Sequence, residues 1–323
     1  MTNTRRYRNG ILEAEGFPIA DVSDHLEAPD TVVWVDLCGP TKAELDDLGN
    51  ELGLHELAIE DALSAHQRPK LDHYATHMFL SCHAVGVDPA TGMLRQTEVD
   101  AFISPRWLIT VRKDDGFAID SAVQRWDRSA DLAKLGVGFL LYGLLDVVVD
   151  GYFETIQAFD EYYDVVSEGI FAERPLQPSE QRLWFQMRQS LVRFHRLAVP
   201  MREAVSALMR REHSIIADEL YPYFQDVYDH VLRVSESSDS LRELVSTIVE
   251  TNLSLRDYRT NQIMKKVTSW AGILAVPTLI TGWYGMNVPY PGINTHGGAV
   301  VAGALVVILS GGLYIIFRRR DWL

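Results

Sequence analysis

The sequence has only two cysteines among its 323 residues, and no Asp, Glu, Lys or Arg between residues 267 and 317. Cys38 and Cys82 lie far apart in apolar stretches and match no metal-binding spacing, so we expect both to be reduced residues of a cytosolic core. The polar N-terminus leads into no apolar segment, which argues against a cleavable signal peptide. No nucleophile elbow, P-loop or dinucleotide fingerprint occurs, so the sequence does not predict an enzyme.

Acidic residues are concentrated in the first 260 residues. The chain carries a formal charge of −14, and residues 261–323 contain five basic residues and one acid, which leaves −18 on residues 1–260. A surface of this sign repels the phosphates of nucleic acids and concentrates cations. We therefore expect cations as partners and no nucleic acid.

Two apolar runs of 19 residues each, Val267–Gly285 and Ala299–Phe317, fill the charge-free stretch. A helix needs about 20 apolar residues to cross a bilayer, so we predict transmembrane helices at about 267–287 and 299–317, with an outer loop at 288–298. A buried hairpin of a soluble core is the competing interpretation, and two such runs in succession disfavour it. Basic residues flank the stretch and, by the positive-inside rule, place both termini in the cytosol: Lys265, Lys266, Arg318, Arg319 and Arg320.

Strand-like and helix-like segments alternate up to about residue 115, which predicts an α/β domain. Helices are predicted at 41–52, where Thr41 and Glu44 form a capping box, and at 55–63. A turn at Asp88–Gly92 separates two of the strands. The predicted strands are Thr31–Leu37, Leu71–Val87, Thr97–Ser104 and Trp107–Arg112.

Helical periodicity replaces the strand patterns beyond residue 115. Long helices are predicted at 135–172, at 179–212 and from residue 220 to about residue 284. The predicted fold class is therefore α+β with a membrane domain. Its domains are a cytosolic α/β domain at residues 1–130, a region of long stalk helices at 131–260 and a transmembrane domain at 261–323.

The first predicted membrane helix has one face of small and polar residues and an opposite face of large apolar residues. Polar groups in hydrocarbon turn toward water or protein, and small residues let helices pack closely. The face therefore fits either a pore lining or a helix-packing seam. Two membrane helices cannot enclose a water-filled path, so a pore requires a symmetric ring of chains. The candidate lining residues are Asn261, Val267, Thr268, Gly272, Ala275, Thr278, Leu279 and Gly282, with Val267 and Leu279 as the apolar constriction.

Several stretches carry a family pattern. The first membrane helix contains Asn261–Thr268, Pro277-Thr278 and Gly282–Asn287, the last ending in Gly-Met-Asn, and the chain closes on a basic tail at 318–323. Upstream, the matching stretches are 59–61, 66–70 and 223–230. Together they resemble the CorA family of magnesium transporters, and the resemblance extends over most of the chain from about residue 55.

The resemblance implies a homopentamer in the plasma membrane, with a funnel of cytosolic α/β domains whose long helices continue into the pore. It implies passive Mg²⁺ uptake driven by the membrane potential. The implied selectivity residues at the outer mouth of the pore are Gly285, Met286 and Asn287.

A regulatory Mg²⁺ site between subunits is also implied by the resemblance. Asp88 of one chain and Asp226 of the next bind the ion there, and Asp229 lies one helical turn along. Occupied sites hold the pore closed. Mg²⁺ is thus both the transported and the regulatory ion.

Two alternatives stay open, a related transporter for Co²⁺, Ni²⁺ or Zn²⁺ and a membrane-anchored sensor without transport. Softer metals prefer His and Cys ligands, and four histidines lie within 18 residues: His66, His73, His77 and His83. If 71–87 is one strand, however, His73 and His77 are about 13 Å apart, too far to share an ion. The outer loop contains no acid, unlike that of many family members, which leaves the metal preference less defined.

Overall fold

The computed structural model describes residues 2–65, 67–169, 177–210, 215–286, 292 and 295–323. Contacts divide the chain into two compact units, Met1–Ser246 and Thr247–Leu323. The predicted domain boundaries at residues 130 and 260 stay predictions. The helices are α1 (Val22–His25), α2 (Lys42–Leu52), α3 (Glu56–Leu63), α4 (Asp120–Arg128), α5 (Ala130–Ala133), α6 (Val137–Gly169), α7 (Pro178–Leu208), α8 (Tyr221–Tyr284) and α9 (His296–Arg319).

A seven-stranded sheet forms the centre of the first unit, in the order β2-β1-β3-β7-β6-β5-β4. Only β3 and β7 run parallel, and the other neighbouring strands are antiparallel. The strands are β1 (Thr2–Arg8), β2 (Ile11–Glu15), β3 (Thr31–Cys38), β4 (Lys70–His73), β5 (Met78–Val87), β6 (Leu94–Ile103) and β7 (Trp107–Arg112).

Helices cover both faces of this sheet. On one face, Leu45 of α2 and Ile59 of α3 pack with Val35 of β3 in the main apolar core. On the other face, Trp126 of α4 packs edge-on against Trp34 of β3, with ring centroids 4.9 Å apart, and α6 lies against β5. Burial of each such side chain stabilises the fold by about 1.5–3 kcal/mol. The predicted α/β domain is confirmed.

The predicted start of α2 is also confirmed. The Thr41 N–H donates to the Glu44 carboxylate (2.7 Å), and the Glu44 N–H donates to the Thr41 hydroxyl (3.4 Å). These two bonds satisfy backbone donors that a helix leaves free in its first turn. Gly53, at φ 72°, ends the helix in the left-handed conformation. Local sequence alone specifies this helix at both ends.

The structure differs from the sequence prediction at two places in the sheet. The sequence pattern does not predict the pair β1 and β2, because β1 is polar and buries only Thr4 and Tyr7. The prediction of one strand over Leu71–Val87 is wrong. The chain reverses between β4 and β5, where the Tyr74 N–H donates to the His77 carbonyl (2.9 Å). No glycine or proline marks this turn in the sequence.

The reversal removes the argument that separated His73 from His77. His77 is buried, with its ring 5.7 Å from that of Phe102 and 6.0 Å from that of Trp107. Burial, followed by the nearby His55, lowers the pKa of His77 to about 4, so its ring is neutral at pH 7. His66 lies outside the described residues. Within the described ranges, no three His, Cys, Asp or Glu residues form a group that could hold a metal ion.

A buried charge cluster connects the sheet to the end of α3. The Lys113 ammonium lies 3.2 Å from the Asp100 carboxylate and 3.6 Å from that of Glu98. It also donates to the Ala62 carbonyl, where α3 ends. His83 lies 3.8 Å from Glu98. Burial raises the pKa of Asp100 to about 7, although Lys113 opposes the shift.

The raised pKa of Asp100 predicts a pH-dependent stability. The native state retains this proton between pH 4 and 7, whereas an unfolded carboxyl releases it at about 3.9. Protonation of Asp100 therefore contributes fully to the free energy of unfolding below pH 4. This contribution is lost as the pH rises to 7, by at most about 1.4 kcal/mol per pH unit. Asp100→Asn should therefore gain stability relative to the parent as pH rises from 5 to 8. Thermal unfolding of the variant and of the parent at pH 5 and pH 8 measures this gain. A difference in stability that is the same at both pH values would contradict the prediction.

The second unit contains the end of α8 and the whole of α9. Both helices have an apolar window long enough to cross a membrane, of which only 6% and 0% is buried inside the protein. A helix of a soluble core would bury such a window, so this exposure favours the membrane interpretation. Thr295 caps α9, because its hydroxyl accepts from the Gly298 N–H (3.1 Å). The helix begins three residues before the predicted span.

Candidate functional site

The predicted pore-lining residues lie on the membrane part of α8, and most are exposed in the single chain. Val267 and Leu279 are 63% and 72% exposed. The small and polar members of the face lie at the same surface: Asn261, Thr268, Ala275, Thr278 and Gly282 are all exposed. An exposed row of this kind is available to neighbouring chains or to water.

The hydroxyl group of Thr278 has its donor satisfied within α8. It donates to the Leu274 carbonyl one turn earlier (3.0 Å), a common arrangement for threonine in helices. A hydroxyl oxygen has two lone pairs besides its proton. The Thr278 hydroxyl proton is therefore already paired with the Leu274 carbonyl. The hydroxyl oxygen can still accept a hydrogen bond from a water molecule bound to a cation.

Gly272 differs from the rest of this face. A Cβ placed on Gly272 would lie 3.7 Å from the ring of Phe317, on α9. This is ordinary van der Waals contact, so an alanine would also fit here, and Gly272 lies next to α9 within one chain. Its predicted place in the pore lining stays a prediction.

The predicted outer mouth lies at the end of α8. The Gly285 N–H donates to the Thr281 carbonyl (2.9 Å) and the Met286 N–H to that of Trp283 (3.3 Å). The helical bonding therefore continues into the Gly-Met-Asn motif. Asn287 lies outside the described residues, and its role stays a prediction.

The turn that carries Asp88 matches the sequence prediction. The Asp88 carboxylate accepts from the backbone N–H groups of Ala90 (2.9 Å) and Thr91 (3.4 Å). The Ser190 hydroxyl of α7 donates to the Gly92 carbonyl (2.6 Å), which anchors the turn. The bond from Ala90, followed by Thr91, lowers the pKa of Asp88, and this residue is partly exposed. Asp88 is thus an ionised carboxylate on a turn that hydrogen bonds hold in place.

Asp226 and Asp229 both lie on the exposed side of α8. Asp226 lies 3.6 Å from the His230 ring, and Asp229 accepts from the Gln225 amide (2.9 Å). The site that Asp88 of one chain would share with Asp226 of the next stays a prediction.

Two further acids, which no motif in the sequence singles out, lie on α6. Asp146 pairs with Arg125 of α4, and Asp150 lies 3.4 Å from the same guanidinium. The Tyr142 hydroxyl donates to Asp146 (3.4 Å). Burial raises the pKa of Tyr142, Arg125 lowers it, and the charges of Asp226 and Asp150 raise it further. In the sequence, Asp146 and Asp150 are recognisable only as two acids four positions apart in a long apolar helix.

The chain combines a sheet domain, a long helix that continues into an apolar segment, and a second, C-terminal apolar helix. This combination defines a class of membrane protein with a large soluble domain. The CorA-like Mg²⁺ transporter protein family matches residues 29–319. The chain belongs to this family of divalent-cation transporters.

Known relatives cover nearly the whole chain. The cobalt/magnesium transport protein CorA of Thermotoga maritima is 30% identical over 97% of this chain and 90% of its own length. The putative metal ion transporter YfjQ of Bacillus subtilis is 30% identical over 93% and 92%. The complete structure of the CorA magnesium transporter from Methanocaldococcus jannaschii matches with a TM-score of 0.78 at 24% identity, over 99% of this chain and 98% of that one. This structural likeness confirms the predicted fold.

Proposed function

We propose that the chain forms a homopentameric Mg²⁺ channel in the plasma membrane, with both termini in the cytosol, and that internal Mg²⁺ bound between subunits closes it. The observation that carries the proposal is the exposed row of small and polar residues on α8, in a chain of a cation-transporting family. A single α8 cannot enclose a path, whereas a ring of α8 helices can.

The driving force is the membrane potential. A unit charge gains about 2.3 kcal/mol per 100 mV, so a divalent ion gains roughly 4.6 kcal/mol. The acidic first 260 residues, at −18 net, stabilise cations on the cytosolic side. No further energy source is needed for uptake.

The ligand chemistry of the path favours a hard, hydrated ion. Thr268, Thr278 and Asn261 supply hydroxyl and amide oxygens, which suit Mg²⁺ better than softer metals. Mg²⁺ loses its water reluctantly, so these oxygens and a ring of Asn287 amides hold the ion through its water shell. Gly285 and Met286 position that ring at the outer mouth.

Regulation rests on Asp88 of one chain and Asp226 of the next, with Asp229 one turn along. Two ionised carboxylates repel each other, and a hydrated Mg²⁺ between them offsets the repulsion. The charges of Asp150 on α6 and of Asp226 act on the same Tyr142 hydroxyl, and Arg125 offsets part of the charge of the α6 acids. When internal Mg²⁺ falls, the repulsion returns and the population shifts toward conducting states.

Ion flux in liposomes that contain only this protein tests the proposal. We expect Mg²⁺ to enter when the potential is negative inside, and the initial rate to rise with the potential. Protein-free liposomes and a zero potential are the controls. Absence of Mg²⁺ flux would favour a sensor without transport, and Co²⁺ or Ni²⁺ flux without Mg²⁺ flux would favour the related metal transporter. The relative from Thermotoga maritima is named for cobalt as well as magnesium, so both ions belong in the assay.

A further inference from the structure

All five basic residues of residues 261–323 lie at one end of the membrane hairpin. Lys265 and Lys266 precede the apolar part of α8, and the three arginines 318–320 follow that of α9. The ring of Phe317 lies against Gly272, which is two turns from Lys265, about 10 Å along the helix. The basic end of α9 therefore lies near the basic end of α8.

The tail after α9 has a defined conformation. Asp321 adopts a left-handed φ of 54°, the Trp322 N–H donates to the Phe317 carbonyl (3.0 Å), and the Asp321 N–H donates to that of Arg318 (3.3 Å). These bonds are those of a Schellman motif, which ends a helix with an apolar contact across the turn. That contact is the stacking of Trp322 on Phe317, with centroids 5.6 Å apart and planes at 3°.

The folded tail leaves the arginines on the outside. Arg318, Arg319 and Arg320 are exposed, and in the part of the chain that the structure describes none of them makes an ion pair. Asp321 is the only acid in residues 261–323. Directly before the arginines, Ile315 and Ile316 are 53% and 51% exposed. A compact positive surface thus adjoins an exposed apolar surface.

We propose that this basic end of the hairpin binds the phosphodiester headgroup of an anionic phospholipid. A guanidinium donates two parallel hydrogen bonds to a phosphate, and basic clusters next to a membrane helix attract anionic lipids. Trp322 lies where an indole ring favours the headgroup region. The exposed isoleucines offer contact to acyl chains, which a soluble phosphate lacks. The inference uses the membrane position of the hairpin and does not depend on ion conduction.

Lipid binding to the full chain in an uncharged detergent tests the inference, with fluorescent phosphatidylglycerol as the probe and phosphatidylcholine as the neutral control. Each basic residue contributes a factor of about five in affinity. The triple variant Arg318→Gln, Arg319→Gln, Arg320→Gln should bind phosphatidylglycerol roughly 100-fold more weakly. The matching triple Arg→Lys variant keeps the charge and should stay within about fivefold of the parent.

A control variant removes equal charge elsewhere. Lys42→Gln, Arg128→Gln and Lys134→Gln alter exposed residues of the first unit and should leave lipid binding unchanged. If the arginine variant does not assemble, Arg320→Gln alone should weaken binding about fivefold. Undiminished binding by the triple Arg→Gln variant and by Arg320→Gln, equal binding of phosphatidylcholine, or displacement of the lipid by inorganic phosphate at the same concentration would each overturn the proposal. Lipid binding without Mg²⁺ flux in liposomes would instead reject only the channel.

Discussion

Replacement of Asn287 by alanine should lower Mg²⁺ uptake by at least about 100-fold while the assembly stays intact. A ring of amide oxygens at the outer mouth holds the water shell of the ion, and each lost hydrogen bond removes about 1 kcal/mol. Alanine removes all of these acceptors together. Uptake of Mg²⁺ into liposomes and the oligomeric state by size-exclusion chromatography measure the two effects.

Asn294 provides the matched control for this variant, because it carries the same side chain in the outer loop outside the Gly-Met-Asn motif. Asn294→Ala should keep most of the flux. A fall in flux that is equal for both variants would indicate a general effect on the loop. Unchanged Mg²⁺ flux in Asn287→Ala would remove Asn287 from the path.

The double variant Asp88→Asn, Asp226→Asn should lose closure by internal Mg²⁺, with the inhibitory concentration raised at least about tenfold. Two ionised carboxylates that face each other across a subunit boundary repel each other, and the bound hydrated ion offsets this repulsion. Asparagine removes the charges and the strong ligands. It still accepts from the Ala90 N–H, so the Asp88 turn is preserved. Flux at defined internal Mg²⁺ concentrations measures the change.

A variant with the same change of charge controls for the acidity of the domain. Asp47→Asn and Asp131→Asn alter two exposed acids of the first unit and should leave the inhibition curve in place. If high internal Mg²⁺ closes the Asp88 and Asp226 variant as completely as the parent, the sensor lies elsewhere. Asp150 would then be the next residue to replace, because its charge and that of Asp226 act on the same Tyr142 hydroxyl.

Local signals account for the parts of the fold that the sequence predicted. Thr41 and Glu44 interact within one helical turn, so their spacing alone predicts the start of α2. The two membrane helices follow from composition, since a bilayer admits few charged residues. The turn at Asp88 also forms from neighbouring residues, through its own carboxylate and backbone. None of these elements needs a distant partner to be recognised.

The parts that the sequence did not predict depend on distant partners. Strand β1 is polar, and it becomes a strand because it pairs with β2 and β3. The separation of β4 from β5 rests on a turn without glycine or proline. The pKa of Asp100 depends on its burial and on Lys113, which is 13 residues away in sequence. Pairing and burial of this kind leave little trace in local composition.

The sequence by itself determined the membrane hairpin, the acidic α/β domain and the residue types along the α8 face, because charge, apolar length and helical spacing are properties of the chain. Only the tertiary structure placed Gly272 against Phe317 and brought Asp150 of α6 and Asp226 of α8 within reach of the same Tyr142 hydroxyl. The residues of these two pairs are separated by 45 and 76 positions in the sequence, and helix packing alone brings them together.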